Sequence, residues 1–568
     1  MKRSRDKFRF AAAGLTVFIA TACDQQPPTQ KGTTEKGTKF LFADKFLFSD
    51  VGEAVGLRFR HESGADGEFL FPEIMGAGGA WIDIDNDGDL DAYLIQGGSL
   101  RAAPATRPPN RMYRNDDGQF TDITDDSGAD DRGYGMGACV GDVDNDGDND
   151  LYVTNVGPNV LLLNDGKGHF TKDPAAGVDD AGWGTSCAFL DYDRDGDLDL
   201  FLTNYVRWSV EREKKCYEIT GIQDYCSPTS YNASAPDVLY QNNGDGTFTD
   251  VTQASGVGAA FGNGLGVVCG DFNDDGWVDI YVANDQTPNN LWLNQRDGTF
   301  REEALLAGVA VNAIGMPEAS MGVDAFDVDR DGRSDLFMTH LQGETHTLYL
   351  GTGPGRFLDH TVRTAFNLWS HSATGFGTAF FDYDHDGLAD LFVANGHVLL
   401  GAGFQRPEHN AYAQANQLIR QHAPGKFEDV SIAGGAGIVA EHVSRGAMFG
   451  DYDNDGDVDI LVTNNNDACQ LLRNDAPKTG DWLMVRATTG TPPRDAIGTV
   501  IRLTMADGGV YRREIRPAAG YCGSNDPRAH FAFAENAEPA SMTIQWPNGE
   551  QETLAPPRPL NRLMTYHR

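Results

Sequence analysis

Positive charge is scarce in this chain. Its 568 residues carry 45 Lys and Arg against 83 Asp and Glu, a formal net charge of −38. Such a surface repels phosphate backbones and anionic headgroups, which sets nucleic acid aside as a partner and favours cations. Long apolar runs are also scarce. The most apolar stretch, "FAAAGLTVFIATA", is 13 residues long, too short to cross a bilayer as a helix, and nothing else reads as transmembrane. Catalytic signatures are missing as well: the chain has no Gly-x-Ser-x-Gly, no His-Glu-x-x-His and no phosphate loop. What it has in quantity is glycine, 67 residues, which points to many tight turns rather than long helices.

The apolar stretch follows the basic "MKRSRDKFR" and precedes Cys23, the layout of a secretory signal over residues 1–22. Ala20-Thr21-Ala22-Cys23 resembles a bacterial lipobox, with Ala20 where leucine is usual. The expectation is a lipid-modified Cys23 at the start of a flexible tether, residues 23–45.

Repetition dominates the rest. Asp-x-Asp/Asn-x-Asp-Gly-x-x-Asp begins at Asp83, Asp142, Asp191, Asp271, Asp327, Asp382 and Asp451. Before each copy stands a short Gly-rich apolar run such as "GMGACVG"; after most stands a β-rich run such as "LYVTN". Then comes strand, Asn-Gly or Asp-Gly turn, strand, as in "DVLYQNNGDGTFTDVT". Each unit therefore reads as four antiparallel strands with the acidic loop joining the first two, and seven units read as an all-β, seven-bladed propeller over residues 46–476. The seventh unit stops at "QLLRND" without its last strand. "FLFSDVGEAVGL", with Phe48 to Val51, supplies that strand from the other end of the chain and removes the free edges of an open array. Residues 478–568 form a separate small all-β module: "WLMVRAT", "GTVIRLTM", "VYRREIR" and "SMTIQW" are broken by turns at "ADGG" and "PNGE".

Carboxylates at loop positions 1, 3, 5 and 9, with a backbone carbonyl near position 7, make a cage of hard oxygens. The glycine at position 6 permits the sharp turn. The expected cofactor is Ca²⁺, about seven ions, since calcium accepts six to eight oxygens at about 2.3–2.6 Å in tolerant geometry, whereas Mg²⁺ wants a stricter octahedron. The candidate ligand residues are Asp83, Asp85, Asp87, Asp89 and Asp91; Asp142, Asp144, Asp146, Asp148 and Asp150; Asp191, Asp193, Asp195, Asp197 and Asp199; and Asp271, Asn273, Asp275, Trp277 and Asp279. The last three loops add Asp327, Asp329, Asp331, Arg333 and Asp335; Asp382, Asp384, Asp386, Leu388 and Asp390; and Asp451, Asp453, Asp455, Asp457 and Asp459. Trp277, Arg333 and Leu388 stand at position 7 and would contribute a carbonyl. Position 12 is apolar in every copy, from Leu94 to Val462, which rules out an EF-hand.

These loops and the Phe-x-Asp-Val strands resemble FG-GAP/VCBS repeats, as in integrin α propellers. The opening segment "FLFSDVGEAVGLRFRHESG…FPEIMGAGGAWIDIDNDGDLD" resembles bacterial relatives of the cartilage acidic protein family, and "GDWLMVRATTG…RDAIGTVIRL…GYCGSNDPRAHFAF…IQWPNGE" resembles the ASPIC/UnbV domain that ends them. The resemblance implies calcium and an extracytoplasmic address, but no reaction.

On the face away from the acidic loops, the strand ends gather Glu73, Trp183, Asn204, Asp285, Glu318, His340, Glu344, His397 and Arg445 near the central channel. They are candidates for a ligand face, against the plainer reading that they satisfy loop backbone groups. His340, Glu344 and His346 in "THLQGETH" are a further possible metal set. Of eight cysteines, Cys216 and Cys226 bracket "YEITGIQDY" in the third repeat's long insertion and are expected to pair. Cys139, Cys187 and Cys269 read as small buried residues of first strands, and Cys469 and Cys522 stay unassigned. The functional expectation is a calcium-binding, lipid-anchored module at the periplasm or cell surface that binds a protein or glycan and meets the membrane only through its anchor. The alternative is a polysaccharide lyase or hydrolase with its site on the channel face; Glu318 and Glu344 would then be the titratable pair.

Overall fold

An apolar run that leaves a tight acidic turn and continues apolar can bury both halves only by folding back on itself. A computed structural model describes residues 46–400 and 410–568; the signal, Cys23 and the tether lie outside the described residues. In each repeat the first strand leads into the acidic loop and pairs antiparallel with the strand that leaves it. Blade 1 shows the pattern: Gly79–Ile82, Asp91–Leu94, Arg111–Asp116 and Gln119–Asp122 follow one another across the sheet. Blades 2 to 6 open with Gly135–Gly141, Gly184–Leu190, Gly264–Gly270, Val323–Phe326 and Gly375–Phe381, and blade 7 with Ser444–Gly450. Among the described residues these make seven blade sheets. The opening strands touch in chain order around a ring, and that of blade 7 touches that of blade 1.

Phe48–Asp50 closes blade 7, pairing antiparallel with Gln470–Asn474 in the register Phe48 to Asn474 and Asp50 to Leu472. The Phe48 ring, 1% exposed, lies 6.3 Å from Phe381 and 6.1 Å from Tyr383 of blade 6. Burial of a phenylalanine of this kind contributes about 3–5 kcal/mol, so the closing strand is held by side chains as well as by its ladder.

The C-terminal module stacks two sheets. Asp481–Thr489 pairs with Ala529–Phe533 and Leu563–His567; Val500–Met505 lies between Val510–Glu514 and Pro539–Gln545. Leu483, Ile501, Phe531, Met542 and Trp546 fill the space between. The module is less separate than its sequence suggests. Between Glu514 and Ala529 the chain leaves it and enters the propeller channel. There Gly523–Ser524 runs parallel to Gly79–Ile82 and becomes a fifth strand of blade 1.

That excursion touches blades all around the channel. Gly520 bridges Val323 of blade 5, the Cys522 N–H donates to Ser186 Oγ of blade 3 at 2.9 Å, and the Phe449 N–H of blade 7 donates to Asn525 Oδ1 at 2.9 Å. The Tyr521 hydroxyl donates to the Met75 carbonyl at 2.8 Å, and its ring meets Phe376 edge-on at 4.8 Å. Glycine makes the approach possible: a Cβ on Gly78 would stand 1.7 Å from the Cys522 carbonyl oxygen. Cys522 is thus part of a plug on the propeller axis. Cys139, Cys187, Cys269 and Cys469 are free and buried.

Candidate metal centres

Every acidic loop solves the same backbone problem with the same bonds. Position 4, which is Asn86, Asn145, Arg194, Asp274, Arg330, His385 or Asn454, takes φ between 54° and 63°, and the position-6 glycine takes φ between 83° and 96°. Two left-handed residues within three turn the chain tightly enough to face the carboxylates inward. The N–H of position 7 donates to position 5 in all seven loops, at 2.9–3.0 Å. The position-6 N–H donates to one oxygen of position 1, for example Gly147 to Asp142 at 2.9 Å and Gly387 to Asp382 at 2.7 Å.

Position 9 does more than the sequence reading assigned to it. In blades 1 to 6 its carboxylate receives one N–H from loop position 2 and another from the third strand, as with Ile84 and Asn115 to Asp91 at 2.9 and 2.7 Å and Val143 and Asn164 to Asp150 at 2.9 Å each; in blade 7 Asp459 accepts the third-strand N–H of Asn474 at 2.7 Å. It is a brace tying loop to blade, with lone pairs left for a ligand.

Ligating oxygens of positions 1, 3 and 9 approach within 4.8 Å of one another in the sets Asp83–Asp85–Asp91, Asp191–Asp193–Asp199, Asp327–Asp329–Asp335 and Asp382–Asp384–Asp390; in blade 2 the set is Asp142–Asp144–Asp146. Such clusters could hold a hard cation. The test of fit is what their oxygens otherwise lack. Buried oxygens of Asp83, Asp85, Asp191, Asp327, Asp384, Asp453 and Asp459 have no hydrogen-bond partner within the protein, a costly arrangement unless something positive stands among them. Without a cation, burial and neighbouring aspartates push the position-1 carboxyls up, to about 6 for Asp83, Asp142, Asp191, Asp271 and Asp327 and about 8 for Asp382 and Asp451. A divalent ion removes both causes of strain at once.

The C-terminal module lies over these loops and brings arginine to them. Arg528 donates to Asn454 Oδ1 at 2.7 Å and the Asp451 carbonyl at 2.8 Å, Arg494 to the Gly196 carbonyl at 2.6 Å, and His530 Nε2 lies 3.0 Å from the Gly456 carbonyl. Arg513 stacks on Phe326 at 4.1 Å beside Asp327 and Asp382. A cavity of about 140 Å³ remains between module and propeller, bordered by Asp327, Asp382, Arg513 and Arg528. The sequence offered no sign that this basic underside faces the acidic ring.

The expected ligand face is brought together, but as the interior of a closed channel. Phe71, Trp183, Tyr205, Tyr225 and Tyr231 form one apolar cluster with Tyr521 from the plug. The insertion joined by the Cys216–Cys226 disulfide supplies Tyr225, so the channel is covered on this side as well. Arg445, 0% exposed, spends its guanidinium on the carbonyls of Ile74, Gly396, Ser444 and His397 at 2.8–3.1 Å and stacks 4.0 Å from Phe376. Burial lowers its pKa to about 9. Glu73 accepts the Leu70 N–H at 3.1 Å, Asn204 donates to Asp180 at 3.4 Å, Asp285 accepts the Tyr205 hydroxyl, and the His397 N–H donates to the Tyr412 carbonyl at 2.8 Å.

Glu318 and Glu344 do not form an open acid–base pair. Glu318 accepts from Asn312 at 3.0 Å, while Glu344 accepts the Ala319 N–H at 2.9 Å. His340 is bonded to Ser320 at 3.1 Å, and its N–H donates to His346 Nδ1 at 3.1 Å. Burial raises Asp285, Glu73 and Glu318 to about 7 and lowers His340 to about 3 and His397 to about 4, favouring their neutral forms. Part of their polar capacity goes to loop backbone and to one another, while Trp183 Nε1, Asn204 Oδ1, Asp285 Oδ1, His340 Nδ1 and His346 Nε2 are buried without a hydrogen-bond partner in the protein.

The loop geometry and the blade order agree with the comparison to known families. The FG-GAP-like repeat profile matches residues 83–153, 142–202, 220–282, 271–338 and 327–393, together more than half of the chain. The chain belongs to the FG-GAP-like repeat family. The ASPIC and UnbV profile matches residues 489–566, so this member carries that domain after its repeats. Cartilage acidic protein 1 of Homo sapiens is 27% identical over 348 residues, 57% of this chain and 48% of that protein; that of Xenopus tropicalis is 26% identical over 325 residues, 56% and 39%. The match thus spans about half or less of these relatives' own length. Among solved structures, YCF48 bound to D1 peptide aligns at 9% identity with TM-score 0.40, covering 76% of this chain and 97% of that one. An Agrocybe aegerita protein solved for its recognition of non-reducing terminal N-acetylglucosamine aligns at 15% with TM-score 0.39, covering 65% and 89%.

Proposed function

We propose that this FG-GAP-like repeat protein is a calcium-dependent binding module that works outside the cytoplasm. The observation that carries this reading is the sevenfold acidic loop, with buried carboxylate oxygens left without partners in the loops of blades 1, 3, 5, 6 and 7. Calcium fits better than magnesium because each loop offers many oxygens from a flexible backbone turn, and calcium is plentiful in extracytoplasmic fluids. Residues 1–22 would export the chain, and Cys23 would anchor it by lipid in the cell envelope through the 23–45 tether. The expected partner is an envelope protein or a glycan, held on the outer surface of the propeller or module, since the channel interior is filled by Tyr521 and the aromatic cluster.

Immobilised chain, loaded with calcium, is expected to retain a defined set of ligands from glycan arrays and from solubilised envelope proteins. Chelator should release them. Retention of nothing under either condition, or turnover of a polysaccharide on the array, would remove the binding reading.

A further inference from the structure

The seven loops are not independent of one another, because side chains of a first set join six of the seven neighbouring pairs and those of a second set join five. The first set starts from position 4, the left-handed residue between two ligand positions, and ends at position 7 of the following loop. Asn86 donates to Asp148 at 2.7 Å, Asn145 to Asp197 at 2.6 Å, and Asn454 of blade 7 to Asp89 of blade 1 at 2.7 Å. Where the residue types change, they change together. Arg194 at position 4 donates to the Gly276 carbonyl and stacks 4.1 Å from Trp277, the next position 7. Asp274 faces Arg333 at 3.5 Å with the charges exchanged, and His385 stands 3.4 Å from Asp457. This accounts for Trp277 and Arg333 in loops that otherwise carry aspartate.

The second set runs through the third strands. The side-chain amide of Asn115, Asn164, Asn242, Asn294 or Asn474 donates to the position-2 carbonyl of the preceding loop, that of Tyr452, Ile84, Val143, Tyr192 or Tyr383, at 2.8–3.0 Å. The N–H of the same asparagine is held by the position-9 carboxylate of its own loop. Only the step from blade 5 to blade 6 lacks both links. There Arg330 turns to the ring of Tyr511, 4.7 Å away, and position 7 is Leu388.

We infer that the loops bind cations cooperatively, as one connected run from blade 6 through blades 7 and 1 to blade 5. An ion that gathers positions 3 and 5 of one loop fixes position 4 between them. Position 4 then holds position 7 of the next loop, whose carbonyl is an expected ligand. Each occupied loop therefore lowers the ordering cost of the following one, which is positive coupling. The inference rests on the calcium reading above.

The test is a calcium titration of the chelator-stripped full chain by calorimetry, beside the double variant Asn86→Gly/Asn145→Gly. Glycine keeps the left-handed turn and every carboxylate but deletes two links. Independent equal sites need a roughly 80-fold rise in free calcium to pass from one tenth to nine tenths saturation. The parent is expected to need a several-fold narrower range. The variant should bind the same number of ions, melt like the parent when saturated, and require a range wider by roughly twofold or more. A range of roughly 80-fold or more in the parent, or an unchanged range in the variant, overturns the coupling while leaving the calcium sites standing. Absence of any calcium uptake overturns both.

Discussion

Removal of divalent cations is expected to lower the melting midpoint of this protein more than any single substitution, and to invert its response to pH. A ligand that binds only the folded chain contributes roughly 2.7 kcal/mol per site when present at a hundredfold excess over its dissociation constant, and the chain offers seven such loops. The sign of the pH effect follows from the carboxyls. Without cations the position-1 carboxyls stand at about 6 to 8 in the folded state, above the ordinary 3.8. The folded chain then holds more protons than the unfolded one over that interval, so stability falls as pH rises through it. Cation-stripped protein should therefore melt higher near pH 5 than near pH 8. With calcium bound the carboxylates are held ionised, their folded values drop below the unfolded ones, and acidification should release the ions and destabilise the chain. Scanning calorimetry at the two pH values, with calcium and with chelator, checks both halves. Parallel pH trends in the two conditions would show that the carboxylates do not surround a cation.

The second large effect is expected at the plug. Tyr521 is buried, bonded to the Met75 carbonyl and packed on Phe376. Tyr521→Ala should lower stability by about 3–5 kcal/mol, the range for deleting a buried aromatic side chain, and open the propeller axis to solvent. Gly78→Val should act from the other wall, because its Cβ would fall 1.7 Å from the Cys522 carbonyl oxygen. Both variants should bind a dye for exposed apolar surface and become sensitive to protease between propeller and module, near residues 476–480. A Tyr521→Ala chain with the parent's denaturant midpoint would mean that the excursion merely lies in the channel and contributes nothing.

What the sequence discloses here is set by periodicity. The acidic loops, the flanking strands and the missing strand of blade 7 could all be read because a pattern seen seven times defines its own gaps; Phe48–Asp50 was legible as the piece that the seventh repeat lacked. The plug was not. "GYCGSN" occurs once, carries no alternation, and owes its position to glycines such as Gly78, just before a strand more than 400 residues earlier. The loop-to-loop links were invisible for a related reason. Asn86 and Asp148 each look like an ordinary loop residue, and only the ring places one against the other.

The polar residues of the far face show a different limit of the pattern. Arg445, Asp285 and Glu318 converge as their places at strand ends require, yet an insertion held by Cys216–Cys226 and a tyrosine from the C-terminal module close the space around them. Convergence can be read from strand order. Whether the space stays open depends on segments that share no period with the blades.

The central claim is that the acidic loops are cation sites, and elemental analysis of the purified chain tests it most directly. After equilibration in millimolar calcium and removal of free ions, about seven calcium ions should remain per chain, with neutral substitutions of Asp83, Asp142 and Asp191 together removing about three. Less than one bound ion per chain, or a calcium content unchanged in that triple variant, would contradict it.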